Sequence, residues 1–545
     1  MPPRRRRPAL RGLLLLLWCT VSMLLTTVPP AAALTHPTRA SLLLTTPDGV
    51  LRGVTDQGTD QLLGVRYAAA PLGRLRWQAP APNTPWRGVR DADHKGDSCP
   101  QQWRVGSEDC LFLNVYRPHS SRPGERLPVM TWLHGGGFTS GSGNDFDPLE
   151  FVTENRAIVV TVNYRLGALG FLASPALARH GTAGNYGLLD QQAALRWVHT
   201  NIAGWGGDPH RVSLAGESAG AGSVCAQLAS PQSRDLFSTA IIESDDCIHD
   251  VDTYEEAQAR ATAITTALHC DHTSARQTAA CLRAAPVSRL LANTNYIAPN
   301  ISGTLPLLPA TAIATGRWNA VPVLMGSNRE EGRAFATDHL HDTEADWQRW
   351  LTTAPSWPPL STGAPVFGTP ATAQAIAAAY APADFPQPYP VAYAIAAVIT
   401  DSGTRGLGGC TSLRTARSIG LQQPIYYYQL QDPHPPRMSE QPADYDYAAA
   451  HAYELPYLFP RLADAHGTRF SEQMTPEQHR LAQSMRAAWG DFIRAPHHTG
   501  ALDHGWQPLD RTRTYRALEP GRTRSLPLHH YSEQHRCALW DRITS

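Results

Sequence analysis

Lysine is almost missing from this chain: Lys95 is the only one among 47 basic residues, and arginine supplies the rest. After the N-terminus the chain is mildly acidic, which gives no electrostatic footprint for nucleic acid or an anionic membrane surface. No apolar run after residue 33 approaches the ~20 residues that a spanning helix needs, and no membrane span is expected beyond that point. Cys-x-x-Cys pairs and cysteine/histidine groups at metal-ligand spacing are absent as well, which argues against zinc or thiol-redox chemistry. Neither an internal repeat nor a Gly-Lys-Ser/Thr phosphate loop occurs. No metal and no cofactor is therefore expected.

What is present begins with a basic Arg4-Arg5-Arg6-Arg7, an apolar stretch from Leu13 to Leu25, and Pro29-Pro30-Ala31-Ala32-Ala33 with an Ala-x-Ala pattern. That order reads as a secretory signal over 1–33, cleaved after Ala33 and leading to a secreted protein. The whole chain balances 47 basic against 47 acidic residues, and the leader holds five arginines and no acid, so the remainder carries five net negative charges. Of nine cysteines, Cys19 lies in the leader, and the other eight form an even set in an exported chain, which favours disulfides. Cys99 with Cys110 would close a short loop, Cys270 with Cys281 would pin a helical hairpin, and Cys410 with Cys537 would fasten the C-terminus. Cys225 and Cys247 remain as a fourth bridge or two buried thiols.

The pattern along 34–545 alternates strands with helices. Candidate buried strands are Pro128 to Leu133, Ala157 to Val162, Val212 to Ala215, Thr239 to Ile242 and Val321 to Met325, with a helix from Asp190 to Asn201. Thr475-Pro476-Glu477-Gln478 opens a late helix with an N-cap, Pro at the first position and a capping-box Gln. Its apolar stripe is Leu481, Met485, Ala488 and Phe492. Residues 352–390, rich in Pro, Ala and Thr, read as an irregular surface insertion. The fold class is α/β, a mostly parallel sheet flanked by helices, in a single catalytic domain with large insertions; sites in such sheets sit at the carboxyl ends of strands.

Gly216-Glu217-Ser218-Ala219-Gly220 follows the strand Val212 to Ala215 and precedes a helix-compatible Ala221 to Leu228. This is the strand-turn-helix setting of a nucleophile elbow, with small residues allowing the tight turn that raises Ser218 above the sheet. Upstream, the strand ending at Leu133 runs into His134-Gly135-Gly136-Gly137-Phe138, whose glycine amides, with that of Ala219, can converge on an oxyanion. Ser218 then needs a base and an orienting acid further along the chain. Glu330 and Glu331 both follow the strand Val321 to Met325, and His451, one of 22 histidines, lies among small residues at Ala448-Ala449-Ala450-His451. The pattern of residues alone leaves the choice of glutamate and of histidine open.

Further stretches are Glu108-Asp109-Cys110-Leu111-Phe112-Leu113-Asn114-Val115-Tyr116, Asn163-Tyr164-Arg165-Leu166-Gly167, Gly184-Asn185-Tyr186-Gly187-Leu188-Leu189-Asp190-Gln191 and Gly206-Gly207-Asp208-Pro209. With the elbow, Glu331-Gly332 and His451 in that order, the chain resembles the type B carboxylesterases, the family that includes cholinesterases and bacterial para-nitrobenzyl esterases. The resemblance covers nearly all of 34–545 and implies the α/β-hydrolase fold. It implies Ser218 as nucleophile, His451 as base and acid, and Glu331 as orienting acid, with Gly136, Gly137 and Ala219 as oxyanion donors. Glu217 and Ser244 form the supporting shell in that family. Cys99–Cys110, Cys270–Cys281 and Cys410–Cys537 match its bridges, and Arg76 with Glu108 and Arg165 with Asp190 match its structural ion pairs. Two departures stand out. The Cys99 to Cys110 loop is too short for the choline-binding aromatic platform, and the usual Gln-Ser-Gly is Glu243-Ser244-Asp245.

The expected function is hydrolysis of small-molecule carboxylic esters through an acyl-enzyme, rising in rate as His451 loses its proton near neutral pH. Competing expectations are a non-catalytic adhesion or binding protein on the same fold, or a triad hydrolase of amides, thioesters or lactones. Acyl and alcohol preference and oligomeric state are not encoded in any motif found.

Overall fold

A computed structural model describes residues 41–544 apart from 103, 105, 123, 179–182, 249–250, 295–296, 354–366, 368, 404–406, 440–441, 465, 496–500 and 503–504. The expected leader, 1–33, lies outside the described residues.

Short, largely apolar runs form strands buried along their whole length, as at Leu127–Leu133 and Ile158–Val162. Strands of that composition are stable only where helices cover both faces of a sheet. In chain order the strands are β1 (Ser41–Thr46), β2 (Gly49–Asp56), β3 (Thr59–Arg66), β4 (Val89–Asp91), β5 (Phe112–Pro118), β6 (Leu127–Leu133) and β7 (Ile158–Val162). They continue with β8 (Gly207–Glu217), β9 (Thr239–Glu243), β10 (Val323–Asn328), β11 (Ile425–Leu430), β12 (Thr514–Leu518) and β13 (Arg524–Pro527). They join one sheet in the order β1-β2-β3-β5-β7-β6-β8-β9-β10-β11-β12-β13, with β4 beside β2. From β7 to β12 every pairing is parallel, and antiparallel strands flank this run on both sides. This is the mostly parallel sheet of the α/β-hydrolase fold.

Successive side chains on these strands point to opposite faces and build two cores. Val129, Leu133, Val160, Val212, Leu214 and Ile242 pack with α1 (Tyr186–Asn201) and α2 (Ala219–Ala229) on one side. Met130, Trp132, Val159, Ala215 and Ile241 pack on the other side with α3 (Pro476–Arg494). α3 starts as its sequence requires: Thr475 accepts from the Gln478 backbone N–H, Gln478 returns a bond to the Thr475 N–H, and Pro476 occupies the first turn. Leu481, Met485, Ala488 and Phe492 are all buried.

Part of 352–390 departs from the irregular insertion expected. Pro370–Ala379 is helical, capped by Thr369, which accepts from the Thr372 backbone N–H. Proline at a helix start costs nothing, and the alanines behind it have high helix propensity, so Pro/Ala/Thr richness coded a capped helix. Its Ala373 and Ile376 are buried in a third core with Trp347, Tyr380, Ile395 and Trp540.

Four disulfides form: Cys99–Cys110, Cys225–Cys247, Cys270–Cys281 and Cys410–Cys537. The last bridges residues 127 apart and fastens the helix Cys537–Thr544 beside the third core. Closing so long a loop removes much unfolded-state entropy. Replacing Cys410 and Cys537 together by alanine is therefore expected to cost about 2–5 kcal/mol in denaturant unfolding; an unchanged midpoint would contradict this.

Candidate active site

The register of the parallel strands sets four chain-distant segments side by side. Leu133 pairs with Gly216, Glu217 with Glu243, and Glu243 with Gly326, so the carboxyl ends of β6, β8, β9 and β10 open on the same edge. Ser218 sits between β8 and α2 with φ 56° and ψ −130°, a left-handed conformation that costs an L-residue about 1–3 kcal/mol. The surroundings hold it there: its N–H donates to the Glu243 carbonyl at 2.9 Å, and its carbonyl accepts from the Gly222 N–H at 2.8 Å. A Cβ on Gly220 would overlap the Leu133 carbonyl oxygen, and one on Gly216 would overlap the Gly220 backbone. The elbow glycines are thus required by contact.

The His134-to-Phe138 loop lies against this turn. A Cβ built on Gly135 would stand 2.7 Å from Glu217 Oε2 and 3.0 Å from Ser218 Cβ. Gly136 and Gly137 are exposed, with φ +103° and +59°, values that point their amides in directions other residues rarely adopt. The Gly136 carbonyl accepts from the N–H groups of Thr139 and Ser140, both at 3.0 Å. His134 is a buried strut: its Nδ1–H donates to the Gly135 carbonyl at 2.8 Å, its ring stacks on Tyr164, and burial pulls its pKa down to about 4. Ala219, buried, is the first residue of α2.

His451 lies between two carboxylates. Its Nδ1 is 2.7 Å from Glu331 Oε2, its Nε2 is 3.3 Å from Glu217 Oε1, and the Phe335 ring packs at 5.2 Å. Glu331 is fully buried and its Oε1 accepts the Asn328 backbone N–H at 2.6 Å. Glu330 instead pairs with Arg329 at 3.1 Å, partly exposed, so geometry separates two glutamates that the sequence did not. Ser244 donates to Glu454 Oε1 at 3.1 Å, and the Asn328 side-chain amide donates to Glu454 Oε2. Trp489, reaching across from α3, donates its indole N–H to Glu243 Oε1 at 2.7 Å.

Glu217, Glu331 and Glu454 are thus buried around one imidazole, with Glu243 buried beside Glu454 and Glu217, an arrangement in which the acids cannot all be charged at once. Burial, reinforced by Glu454 and Glu331 against the attraction of His451, pushes the Glu217 carboxyl up to about 8. Burial and the Glu331 charge push Glu454 up to about 7, and burial with Glu454 lifts Glu243 well above the usual range. For His451, burial works to lower the pKa, but Glu217 and then the Glu331 hydrogen bond outweigh it and carry it up to about 9. The acids around the ring therefore favour its protonated form.

Ser218, Glu331, His451, Gly136, Gly137, Ala219, Glu217 and Ser244 thus come together at one sheet edge. Arg76 with Glu108 (2.6 Å) and Arg165 with Asp190 (2.7 Å) are ion pairs of the scaffold. Asn328, Glu454, Trp489 and Phe335 were not singled out from the sequence. Glu454, three residues after His451, carried the only signal: a carboxylate in an otherwise apolar stretch. Among the described residues one group has metal-ligand atoms within 4.8 Å of one another, Cys225, Asp245 and Cys247, but both sulfurs are joined in a disulfide.

Comparison with known proteins gives a consistent picture. The family model described as "Carboxylesterase family" matches residues 40–540. The chain is 38% identical over 331 residues to Fumonisin B1 esterase of Sphingopyxis macrogoltabida, covering 57% of this chain and 60% of that protein. It is 37% identical over 319 residues to para-nitrobenzyl esterase of Bacillus subtilis (strain 168), covering 54% and 64%. Both matches span less than two thirds of those relatives. Cocaine esterase of Homo sapiens is 30% identical over 522 residues, 90% of either chain. Among solved structures, a PNB esterase superposes with a TM-score of 0.72 at 30% identity, over 90% of this chain and 99% of that one.

Proposed function

Because this chain belongs to the carboxylesterase family, we propose that it hydrolyses small-molecule carboxylic esters through an acyl-enzyme on Ser218, with His451 as base and acid and Glu331 as orienting acid. Glu331, fixed by the Asn328 N–H, accepts from Nδ1 of His451 and leaves Nε2 as the basic atom. Neutral Nε2 takes the Ser218 proton as the hydroxyl attacks the ester carbonyl. The tetrahedral oxyanion is met by the amides of Gly136, Gly137 and Ala219, and the imidazolium returns its proton to the departing alcohol. Water repeats the sequence and frees the acid. The observation that carries this reading is the partly buried 2.7 Å bond between Glu331 and His451 at the edge where Ser218 rises. Residues 34–545 act as one catalytic domain, and the four disulfides fit an extracellular setting.

A fluorophosphonate probe tests the assignment. It is expected to add once, at the peptide carrying Ser218, and loss of ester turnover should track labelling; a label on another serine would overturn the reading.

The pH response follows from the acids around the ring. General-base catalysis needs neutral His451, whose pKa is carried up to about 9, so kcat/KM for a neutral ester should climb through the weakly alkaline range. Glu217→Gln removes the foremost charge holding that proton. Its acid limb should move down by about one pH unit, and an unmoved limb would contradict the role given to Glu217.

A further inference from the structure

Asn328 is the last residue of β10, fully buried, and bonds to three parts of the site at once. Its backbone N–H donates to Glu331 Oε1 at 2.6 Å, and its side-chain nitrogen donates to the Ala450 carbonyl at 2.7 Å and to Glu454 Oε2. Both side-chain partners are acceptors, which fixes the amide orientation: nitrogen faces them, oxygen does not. Ala450 directly precedes His451. The histidine loop is joined to the same strand end by Glu330 N–H to the Ala449 carbonyl at 2.9 Å, by His451 N–H to the Glu331 carbonyl at 3.3 Å and by the Glu331–His451 side-chain bond. Glu454, held on its other oxygen by Ser244, is one of the acids facing the ring.

We propose that Asn328 is a positioning residue for the ester hydrolysis described above: its amide clamps the His451 loop and holds the Glu454 carboxylate, while its backbone fixes Glu331. The inference rests on that reading of Ser218, His451 and Glu331. No other common side chain of this size supplies two N–H donors without a charge. Aspartate would set a second carboxylate against Glu454, and serine offers a single donor. The titratable groups facing the clamp are Glu331 on the segment after β10, Glu454 and His451 on the histidine loop, Glu217 at the end of β8, Glu243 at the end of β9 and Tyr428 on β11.

The test reverses the hydrogen bond. Asn328→Asp is expected to lower kcat about 100-fold with KM within about twofold, the scale at which a partner behind a reacting group acts. Asn328→Asp combined with Glu454→Gln lets the glutamine donate to the aspartate and keeps the number of acids unchanged. It should recover to within about fivefold of Glu454→Gln alone, a coupling that neighbours in one network show and independent sites do not. Glu454→Gln alone removes a charge facing His451 and should shift the acid limb of kcat/KM to lower pH, while the double variant restores it. If the two substitutions instead multiply, or if KM rather than kcat changes, the proposal is overturned. Should Asn328→Asp not accumulate as folded protein, Asn328→Ser serves. Glu454 then binds its proton more tightly, turnover slows about tenfold, and the limb moves to lower pH; an unmoved limb overturns the proposal. Fluorophosphonate labelling separates the two readings, because Asn328→Asp should still label fully at Ser218, only more slowly. Labelling elsewhere in the unaltered enzyme would remove the underlying reading instead.

Discussion

Ser218→Ala is expected to lower kcat by about 10^6-fold and to abolish fluorophosphonate labelling, the loss that follows when the nucleophile of a serine triad is removed. The change deletes one oxygen from a half-exposed side chain, leaves the backbone bonds to Glu243 and Gly222 in place, and introduces no new clash at the elbow. Folding should therefore be nearly unaffected, and substrate should still bind. Some acceleration over water is expected to persist, because Gly136, Gly137 and Ala219 would still stabilise an oxyanion formed by direct attack of water. Turnover close to that of the unaltered enzyme, in protein shown to be folded by its unfolding midpoint, would remove Ser218 from the chemistry.

Glu331→Gln comes next, with an expected fall in kcat of about 10^4-fold and little change in KM. The reason lies in the two acceptors that Glu331 presents. Oε1 takes the Asn328 backbone N–H at 2.6 Å, and Oε2 takes Nδ1–H of His451 at 2.7 Å. A glutamine has only one oxygen. The backbone N–H cannot rotate away, so the oxygen turns to Asn328 and the NH2 faces Nδ1. The imidazole must then carry its hydrogen on Nε2, where it can no longer accept a proton from Ser218. Steady-state rates over a pH series check this: the loss should persist at every pH, since a wrong tautomer is not corrected by deprotonation. A variant whose activity returned at high pH would point to a purely electrostatic role for Glu331.

Much of this was legible in the sequence because it is local. The elbow, the glycine loop and the Thr475 to Gln478 cap each depend on residues a few positions apart, and the structure keeps each within one turn or strand end. The buried strands were legible through their short, largely apolar runs. His451 was singled out only through family resemblance, because no periodicity distinguishes one histidine among 22. Glu454 and Asn328 are 126 residues apart and meet only through the pairing of β10 with the histidine loop, a relation no window of sequence contains. Pro370–Ala379 is hidden for a different reason: a stretch rich in Pro, Thr and Ala resembles a loop, yet Thr–Pro followed by alanines is also how a helix begins.

The strand order has a consequence for how the protein becomes active. β6 through β10 lie side by side, yet the chain segments whose ends meet at Ser218 run from Leu133 to His451, with β10 and β11 nearly a hundred residues apart. Contacts of such long sequence separation are the slow ones to form, because each demands closure of a large loop before any burial rewards it. Helices and local hairpins can be present in a refolding chain while no imidazole yet stands near the serine. The proposed esterase activity is therefore expected to reappear later in refolding than the far-ultraviolet signal of helices and local hairpins.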